Sequence, residues 1–522
     1  MVAASKKVKL NKFEKYKAEK DGLAVKDELD KFAEMGWEAV DETDLTGRLK
    51  WLGIFFRPVT PGKFMLRMRM PHGTLSSDQM RVLAEIVQRY GDDGSADITT
   101  RQNLQLRGVR LEEIPDIFSR LKAANMTSMQ SGMDNVRNIT GSPVSGLDAR
   151  ELLDTRSLVK AVQDMITNNG EGNYAFTNLP RKFNIAIEGS TDNSVHAEIN
   201  DIAFVPAYKD SELGFNVLVG GFFSSTRCEA AVPLDAWVPP TEEPVVELCR
   251  AILEVYRDNG SRGNRQKTRM MWLIEEWGME KFRAEVANVY GKELSTAAPE
   301  DALTDEKRDY LGPHPQQQEG LYYVGLHVPT GHMQAEDMFE VARVADVYGD
   351  GEIRLTVEQN VIIANIPESR LEAFLTDPIV EKFPTEPTPL VRSLVSCTGS
   401  RFCNFALIET KQRAQAIAEQ LDAELNLPES VRMHWTGCPN SCGQPQVAQI
   451  GMLGTKVRKD GQMVEAVDIY MGGKVGKDAQ LGERVMQKVP CDELHGVLTD
   501  LLVNEFGATP KVPVETGASM AG

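Results

Sequence analysis

KFMLRMRMPHGTLSSDQMRVLAEIVQRYGDDGSADITTRQNLQL, from Lys63, and LYYVGLHVPTGHMQAEDMFEVARVADVYGDGEIRLTVEQNVII, from Leu321, are two copies of one pattern. Pro71 and Pro329, Met80 and Met338, and Tyr90 and Tyr348 each lie 258 positions apart. After one extra residue in the first copy, Gln102-Asn103 meets Gln359-Asn360 at an offset of 257. Thr140-Gly141-Ser142 then meets Thr398-Gly399-Ser400 at 258 again. Farther on, FNVLVGG, ending at Gly221, is similar to VDIYMGG, ending at Gly473. An offset held over so long a span marks an internal duplication, with a period far too long for a solenoid. It predicts two similar halves related by a pseudo-twofold, with a shared site between them.

Each copy reads alike. Residues 64–70 alternate as a strand does, and Pro71-His72-Gly73 leads into a helix. Ser76 with Gln79 has the form of a capping box. Met80, Leu83 and Val87 share one helical face, and Gly91 closes it. A second strand is expected over 96–106, carrying TTRQN. The class is therefore α+β, with helices packed on mixed sheets. We parse the chain into an N-terminal arm (1–50), paired half-domains (51–126 with 319–388), a second domain with a linker (127–318), a third domain (389–508) and a flexible tail (509–522). The linker itself, 296–318, is rich in Pro, Asp, Glu and Gln.

At 522 residues the chain is long enough for three or four compact units. With 42 % apolar and 26 % charged residues it is neither collagenous nor disordered. The longest uncharged stretch of note, 214–226, is too short to span a bilayer. The N-terminus, MVAASKKVKLNKFEKYKAEK, has no apolar signal core, so a cytoplasmic protein without a membrane role is expected. A net charge of −18 argues against nucleic acid as a partner. Seven cysteines are too few and too odd in number for a disulfide scaffold.

Four of the seven lie close together. SCTGSRFCNF carries Cys397 and Cys403, and TGCPNSCGQP carries Cys438 and Cys442. Four thiolates can hold an iron–sulfur cluster or zinc. The five residues between the first pair are wide for a zinc knuckle, and the small residues around the thiols would let backbone amides approach inorganic sulfide. A cluster, a zinc ion and unligated core thiols all remain open at this point. Cys228, Cys249 and Cys491 stand alone and read as small buried hydrophobes.

SCTGSRFCNFALIETK followed by HWTGCPNSCGQPQVA resembles the cluster signature of the siroheme-dependent nitrite and sulfite reductases, and the likeness extends over roughly residues 50–508. The resemblance implies a 4Fe–4S cluster on Cys397, Cys403, Cys438 and Cys442, with Cys442 also bridging to a siroheme iron. It implies that the paired half-domains are ferredoxin-like, that 127–318 forms the siroheme and substrate side, that 389–508 holds the iron–sulfur cluster, and that the cofactors sit at the domain junction.

Siroheme carries eight carboxylates and calls for cationic partners. Several acid-free basic stretches stand out: Lys63, Arg67 and Arg69; Arg101 and Arg107; Arg181 and Lys182; Arg262, Arg265, Lys267 and Arg269. The resemblance places Arg67, Arg137, Lys182 and Asn184 as the substrate-side quartet. Two guanidinium groups suit an anion, and a desolvated lysine suits proton delivery. Arg101, Arg107, Arg181, Lys267 and Arg269 are then cofactor-binding candidates beside Cys442. Asn184 stands where the sulfite branch usually carries a lysine, which favours nitrite as substrate.

GEGNYA, residues 170–175, matches a dinucleotide-loop string but follows a helix-like run (158–167) rather than a strand. Electrons are therefore expected from a separate protein, and the family points to ferredoxin. The expected activity is six-electron reduction of nitrite to ammonia by a monomer. The alternatives are a ferredoxin-dependent sulfite reductase or a non-catalytic four-cysteine metal protein. The first 21 residues hold seven lysines against three acids and read as a solvated arm.

Overall fold

A computed structural model describes residues 10–304 and 306–511. The duplicated segments form two five-stranded antiparallel sheets that exchange strands. The first runs in the order Ile54–Phe55, Phe64–Arg67, Leu104–Val109, Ser95–Ile98 and His332–Met333; the second in the order Gly312–Pro315, Leu321–Leu326, Val361–Pro367, Glu352–Leu355 and Thr74–Ser76. Each copy thus lends its short third strand to the other. His332 pairs with Asp97, and Thr74 with Arg354. The helices that follow, Ser77–Gln88 and Ala335–Tyr348, pack together through Met80, Leu83, Val87, Met338, Val341 and Ala345 in one common core. The Ser76–Gln79 capping box forms.

TTRQN is a tight turn between two antiparallel strands rather than part of one. Thr99 N donates to Asn103 O at 3.0 Å, and Thr356 N to Asn360 O at 3.0 Å. Gln102 and Gln359 occupy the left-handed region, at φ 54° and 67°. Non-glycine residues rarely go there, so each needs support. Gln102 grips Gly141 through both its amide nitrogen and its oxygen (2.8 and 3.1 Å). Gln359 accepts from Ser396 N at 2.8 Å. The Gln-Asn repeat is structural bracing.

The other two five-stranded sheets also match. Val232–Val238, Glu212–Val219, Ile202–Lys209, Ile185–Ile187 and Thr140–Gly141 form one; Glu483–Pro490, Gln462–Met471, Ile450–Lys459, Met433–Thr436 and Leu394–Ser396 form the other. In both, the last three strands are parallel and the rest antiparallel. Ile185 pairs with Ile202 as Met433 pairs with Ile450, an offset of 248. The sequence reading missed the matching NLPRKFN at Asn178 and NLPESVR at Asn426. Thr140 pairs with Ala186 as Val395 pairs with His434, so the offset of the first strand is 255. The Thr-Gly-Ser match at 258 is therefore not the structural equivalence: Gly141 corresponds to Ser396. Each sheet has its own core, one drawn from Val136 to Leu294 and one from Leu390 to Ala508.

Three further expectations change. The 296–318 linker is built into the fold: Gly312–Pro315 is an edge strand, and Tyr310 is 1 % exposed. The tail is partly paired, with Thr509–Pro510 beside Leu425–Asn426; residues 512–522 lie outside the described ones. The arm is not a solvated extension from Leu10 onward. Asn11 caps the helix Lys12–Glu19 and donates to Arg262 O, while Lys17 is buried against Glu14 and Asp134. Leu23, Val25, Phe32 and Leu49 then enter the common core. Lys6, Lys7 and Lys9 lie outside the described residues. Among the described residues, no helix is long and apolar enough to cross a membrane.

Candidate active site at the junction of the two halves

Cys397 and Cys438 follow the C-terminal ends of two parallel neighbouring strands, Leu394–Ser396 and Met433–Thr436. That adjacency brings the two cysteine loops together. Gly437 N donates to Cys397 Sγ at 3.1 Å, and Cys397 N to Trp435 O at 3.0 Å. A side chain at Gly443 would put its Cβ 2.1 Å from Trp435 O, so glycine is required there. Burial, then the neighbouring Cys442, pushes the Cys397 and Cys438 thiols up, Cys438 to about 12; Cys403 adds to the effect on Cys438. The four thiols therefore share one neighbourhood, and a metal would be needed to hold them as thiolates. No group of three or more His, Cys, Asp or Glu among the described residues closes on a single-ion position. A cubane binds each cysteine at a separate iron, so its ligands need not converge.

The turn that sequence analysis placed on a strand reaches this site. Thr100 Oγ1 donates to the carbonyl of Cys442 at 3.1 Å, tying the first half to the exposed thiol. Arg101, next along, makes no side-chain hydrogen bond or ion pair among the described residues. Burial lowers its pKa and the Cys442 charge raises it. Arg67 lies over the Phe55 ring at 4.5 Å and donates to Ser131 O at 3.3 Å, with its Nε buried and unpartnered. Burial, then Arg101 and Arg57, pulls Arg67 down to about 9. Arg137 is 8 % exposed, its guanidinium donates among the described residues only to Asn135 O, and it sits well below the usual arginine range because of burial, then Arg67 and Arg101. Lys182 has no partner among the described residues; burial, then Arg269, holds it well below the usual lysine value. Arg181 is also unpartnered and is lowered by burial to about 10. The Asn184 side-chain oxygen is buried without a partner. Arg67, Arg101, Arg137, Arg181, Lys182 and Asn184 thus come together near Cys442.

Other basic candidates are already engaged. Arg107 pairs with Asp97 and donates to Thr398 Oγ1 at 2.9 Å, linking it to the cysteine loop. Arg269 pairs with Asp201 at 2.5 Å, and Asp201 also accepts from Asn184 N. Arg69 is wholly committed to the carbonyls of Met129, Gln130, Val136 and Arg137, so it shapes the loop that carries Arg137. Arg265 grips Asp134 bidentately. Lys267 is exposed, 5.4 Å from the Trp272 ring centre. Cys228 is half-buried and its thiol senses Ser441 and Lys182, so it adjoins the site, whereas Cys249 is a core residue.

Sequence reasoning missed Arg57, whose electrostatic neighbours are Cys403, Arg107 and Cys442, because it stands alone between Phe56 and Pro58. It also missed Asp134 and Asp201, the buried carboxylates that brace the cationic loops. Unpaired cations that are largely withdrawn from water are costly. Arg101, Arg181 and Lys182, with the orphaned Arg67 Nε and Asn184 Oδ1, therefore fit a polyanionic ligand against Cys442, as siroheme would be.

The nitrite and sulphite reductase 4Fe–4S domain model matches residues 132–294 and 388–503, and the nitrite/sulfite reductase ferredoxin-like half-domain model matches 58–124 and 314–378. The chain is 66 % identical to the ferredoxin–nitrite reductase of Leptolyngbya laminosa over 503 residues, covering 96 % of this chain and 98 % of that one. It is 66 % identical to the ferredoxin–nitrite reductase of Synechococcus elongatus over 501 residues, covering 96 % and 97 %. The solved structure of the NirA protein of Mycobacterium tuberculosis superposes with a TM-score of 0.88 at 30 % identity, covering 96 % of this chain and 94 % of that one. By both family models and these relatives, the chain belongs to the nitrite and sulphite reductase family.

Proposed function

We propose that this protein reduces nitrite to ammonia with electrons from reduced ferredoxin. The observation that carries the reading is the group of largely desolvated cations without ion-pair partners among the described residues, of which Arg67, Arg101 and Lys182 feel the Cys442 charge, in a chain similar to ferredoxin–nitrite reductases over nearly its full length. The overall change consumes one nitrite, six electrons and eight protons, and yields ammonium and two waters.

When bound, siroheme would supply a redox-active iron beside the electron store of a 4Fe–4S cluster, with Cys442 the residue proposed to serve both. Cys397, Cys403, Cys438 and Cys442 would hold the cluster, and Arg101 and Arg181 would take siroheme carboxylates. Arg107, already paired with Asp97, supports the cysteine loop through Thr398. Arg269 reaches the site through Asp201, whereas the exposed Lys267 makes its contact with Trp272 rather than with the site.

Arg67 and Arg137 attract nitrite and polarise its oxygens, as donors aimed at developing charge do. Their burial removes competing water and strengthens that field. Lys182 gives up its ammonium proton more readily than an ordinary lysine because burial disfavours its charge. It is the group best suited to supply protons as the oxygens leave. Asn184 offers a neutral amide beside three cations, which suits a monoanion.

Ferredoxins are acidic, so docking is electrostatic. The protein is read as a cytoplasmic monomer. The test is turnover with the loaded enzyme. Reduced ferredoxin should sustain ammonia formation that weakens with salt, since the Debye length is only ~8 Å at 0.15 M. NADPH alone should sustain none. NADPH-driven turnover by the isolated chain, or failure with ferredoxin, would overturn the reading.

A further inference from the structure

The pseudo-twofold carries each part of the site onto a counterpart. Cys438 and Cys442 fall on Ser190 and Ser194, 248 positions earlier, and Cys397 and Cys403 fall on Ser142 and Asp148, 255 earlier. Local geometry repeats as well. Ser441 and Asn193 are both left-handed (φ 53° and 48°), as are Gln444 and His196 (57° and 53°). Each pair precedes a short helical turn, Pro445–Val447 or Ala197–Ile199. Where one half has thiols, the other has hydroxyls and a carboxylate, and Arg308 fills the space. It meets Asp148 at 2.5 Å, Asp192 at 3.2 Å and Ser190 Oγ at 3.1 Å.

The counterpart of the substrate pocket is not filled. A cavity of about 140 Å³ remains there, and Arg392, Ser430 and Arg432 in its lining are the counterparts of Arg137, Lys182 and Asn184. Lys307, Arg308, Arg392 and Arg432 face it against two lining carboxylates, Asp309 and Glu358. Lys307 pairs with Glu358 at 2.6 Å, and Arg392 pairs with Asp309 and, at 3.3 Å, with Glu386. Arg432 forms no ion pair among the described residues, although the Glu358 and Glu198 carboxylates act on it from a distance. Its Nη2 makes only long contacts to Val447 O and Gly473 O (3.3 and 3.4 Å), and its Nε is buried with no partner. Ser430 makes no side-chain hydrogen bond among the described residues. Among the described residues, the buried Arg432 Nε and the Ser430 hydroxyl at this cavity have no hydrogen-bond partner.

We propose that this cavity is a second anion site, in which a small inorganic anion sits against Arg432 and Ser430 within the field of Arg392 and Lys307. With Arg308 in place of a cluster and no thiolate at hand, the site binds without reducing. This proposal does not depend on the substrate of the main site.

Crystals of the loaded protein soaked in bromide, and separately in selenate, test it by anomalous scattering. Bromide reports a monoanion and selenate a tetrahedral dianion. A peak should appear within hydrogen-bond reach of Arg432 Nε with at least one of the two ions. Arg432→Gln should lose it, while siroheme absorption and nitrite turnover stay within twofold of the parent. The long contacts made by Arg432 make this variant tolerable, and the parent soak stands even if the variant fails to fold. A cavity that holds only water with both ions overturns the proposal. So does a peak that survives Arg432→Gln, which would mark an adventitious ion only.

Discussion

Asp201 Oδ2 accepts the backbone N–H of Asn184 at 2.7 Å while the same carboxylate is clasped by Arg269. The strand that carries the candidate selectivity residue is thus anchored through its main chain, and the Asn184 side-chain oxygen is left buried and unpartnered. Its side chain can therefore be exchanged with the anchor intact.

Asn184→Lys should raise kcat/KM for sulfite several-fold and leave that for nitrite unchanged or lower. One added, partly solvated charge contact is worth about 1 kcal/mol. Lys182 and Arg269 nearby keep the gain small, because like charges disfavour the new ammonium. Parallel kinetics on both substrates decide it: an unchanged sulfite-to-nitrite ratio would reject Asn184 as a selectivity residue.

Replacing Lys182 by Met should cut nitrite turnover with siroheme still bound. One charge-assisted hydrogen bond is worth about 1.5–3 kcal/mol, roughly ten- to a hundredfold in rate. The parent should also lose activity as pH rises through the lowered Lys182 pKa, below the ordinary lysine range, and Lys182→Met should lack that limb.

The same lysine makes a stability prediction of its own. Its folded pKa lies below the unfolded value of about 10.4, so between the two the unfolded chain binds more protons. The cofactor-free protein should therefore gain stability as pH rises through that window. Lys182→Met should melt higher than the parent at neutral pH. A melting temperature that falls instead would show that Lys182 is compensated within the chain.

Cys442→Ser should abolish or uncouple both cofactors, whereas Cys249→Ser, in the core of the second domain, should retain both. Cys228 is the poorer control because it adjoins the cysteine loop. Visible spectra and iron counts separate the outcomes, and equal cofactor loss in both variants would count against the ligand assignment.

Asp134→Asn should be strongly destabilising. Its buried carboxylate takes the half-buried Arg265 bidentately and the buried Lys17 at 3.1 Å. Removing one partner of a buried pair costs about 3–5 kcal/mol. Urea unfolding should show it. A loss below about 1 kcal/mol would mean that the N-terminal helix is not held through this carboxylate.

The duplication and the capping box were legible because periodicity and turn chemistry are local. Even so, a string match misled at Thr-Gly-Ser. Strand pairing, with Thr140 beside Ala186 and Val395 beside His434, follows the sheet rather than the letters. The strand exchange was invisible, since Thr74–Ser76 reads the same whichever sheet receives it. Residues 10–50 read as an arm because lysines dominate their first turns, yet Lys17 is buried by carboxylates far along the chain.

By itself the sequence determined the two-half α+β plan and the four-thiol constellation, because hydrophobic period and soft-ligand spacing are written over short distances. Only the tertiary structure decided which cations are free to hold an anion. Arg69, Arg107, Arg265 and Arg269 look like Arg101 and Arg181 on paper. Packing sets Asp97 against Arg107, Asp134 against Arg265 and Asp201 against Arg269, and gives Arg69 four carbonyls. It gives Arg101, Arg181 and Lys182 no such partner. A buried charge is defined by what faces it, and those neighbours come from elements brought together by the fold.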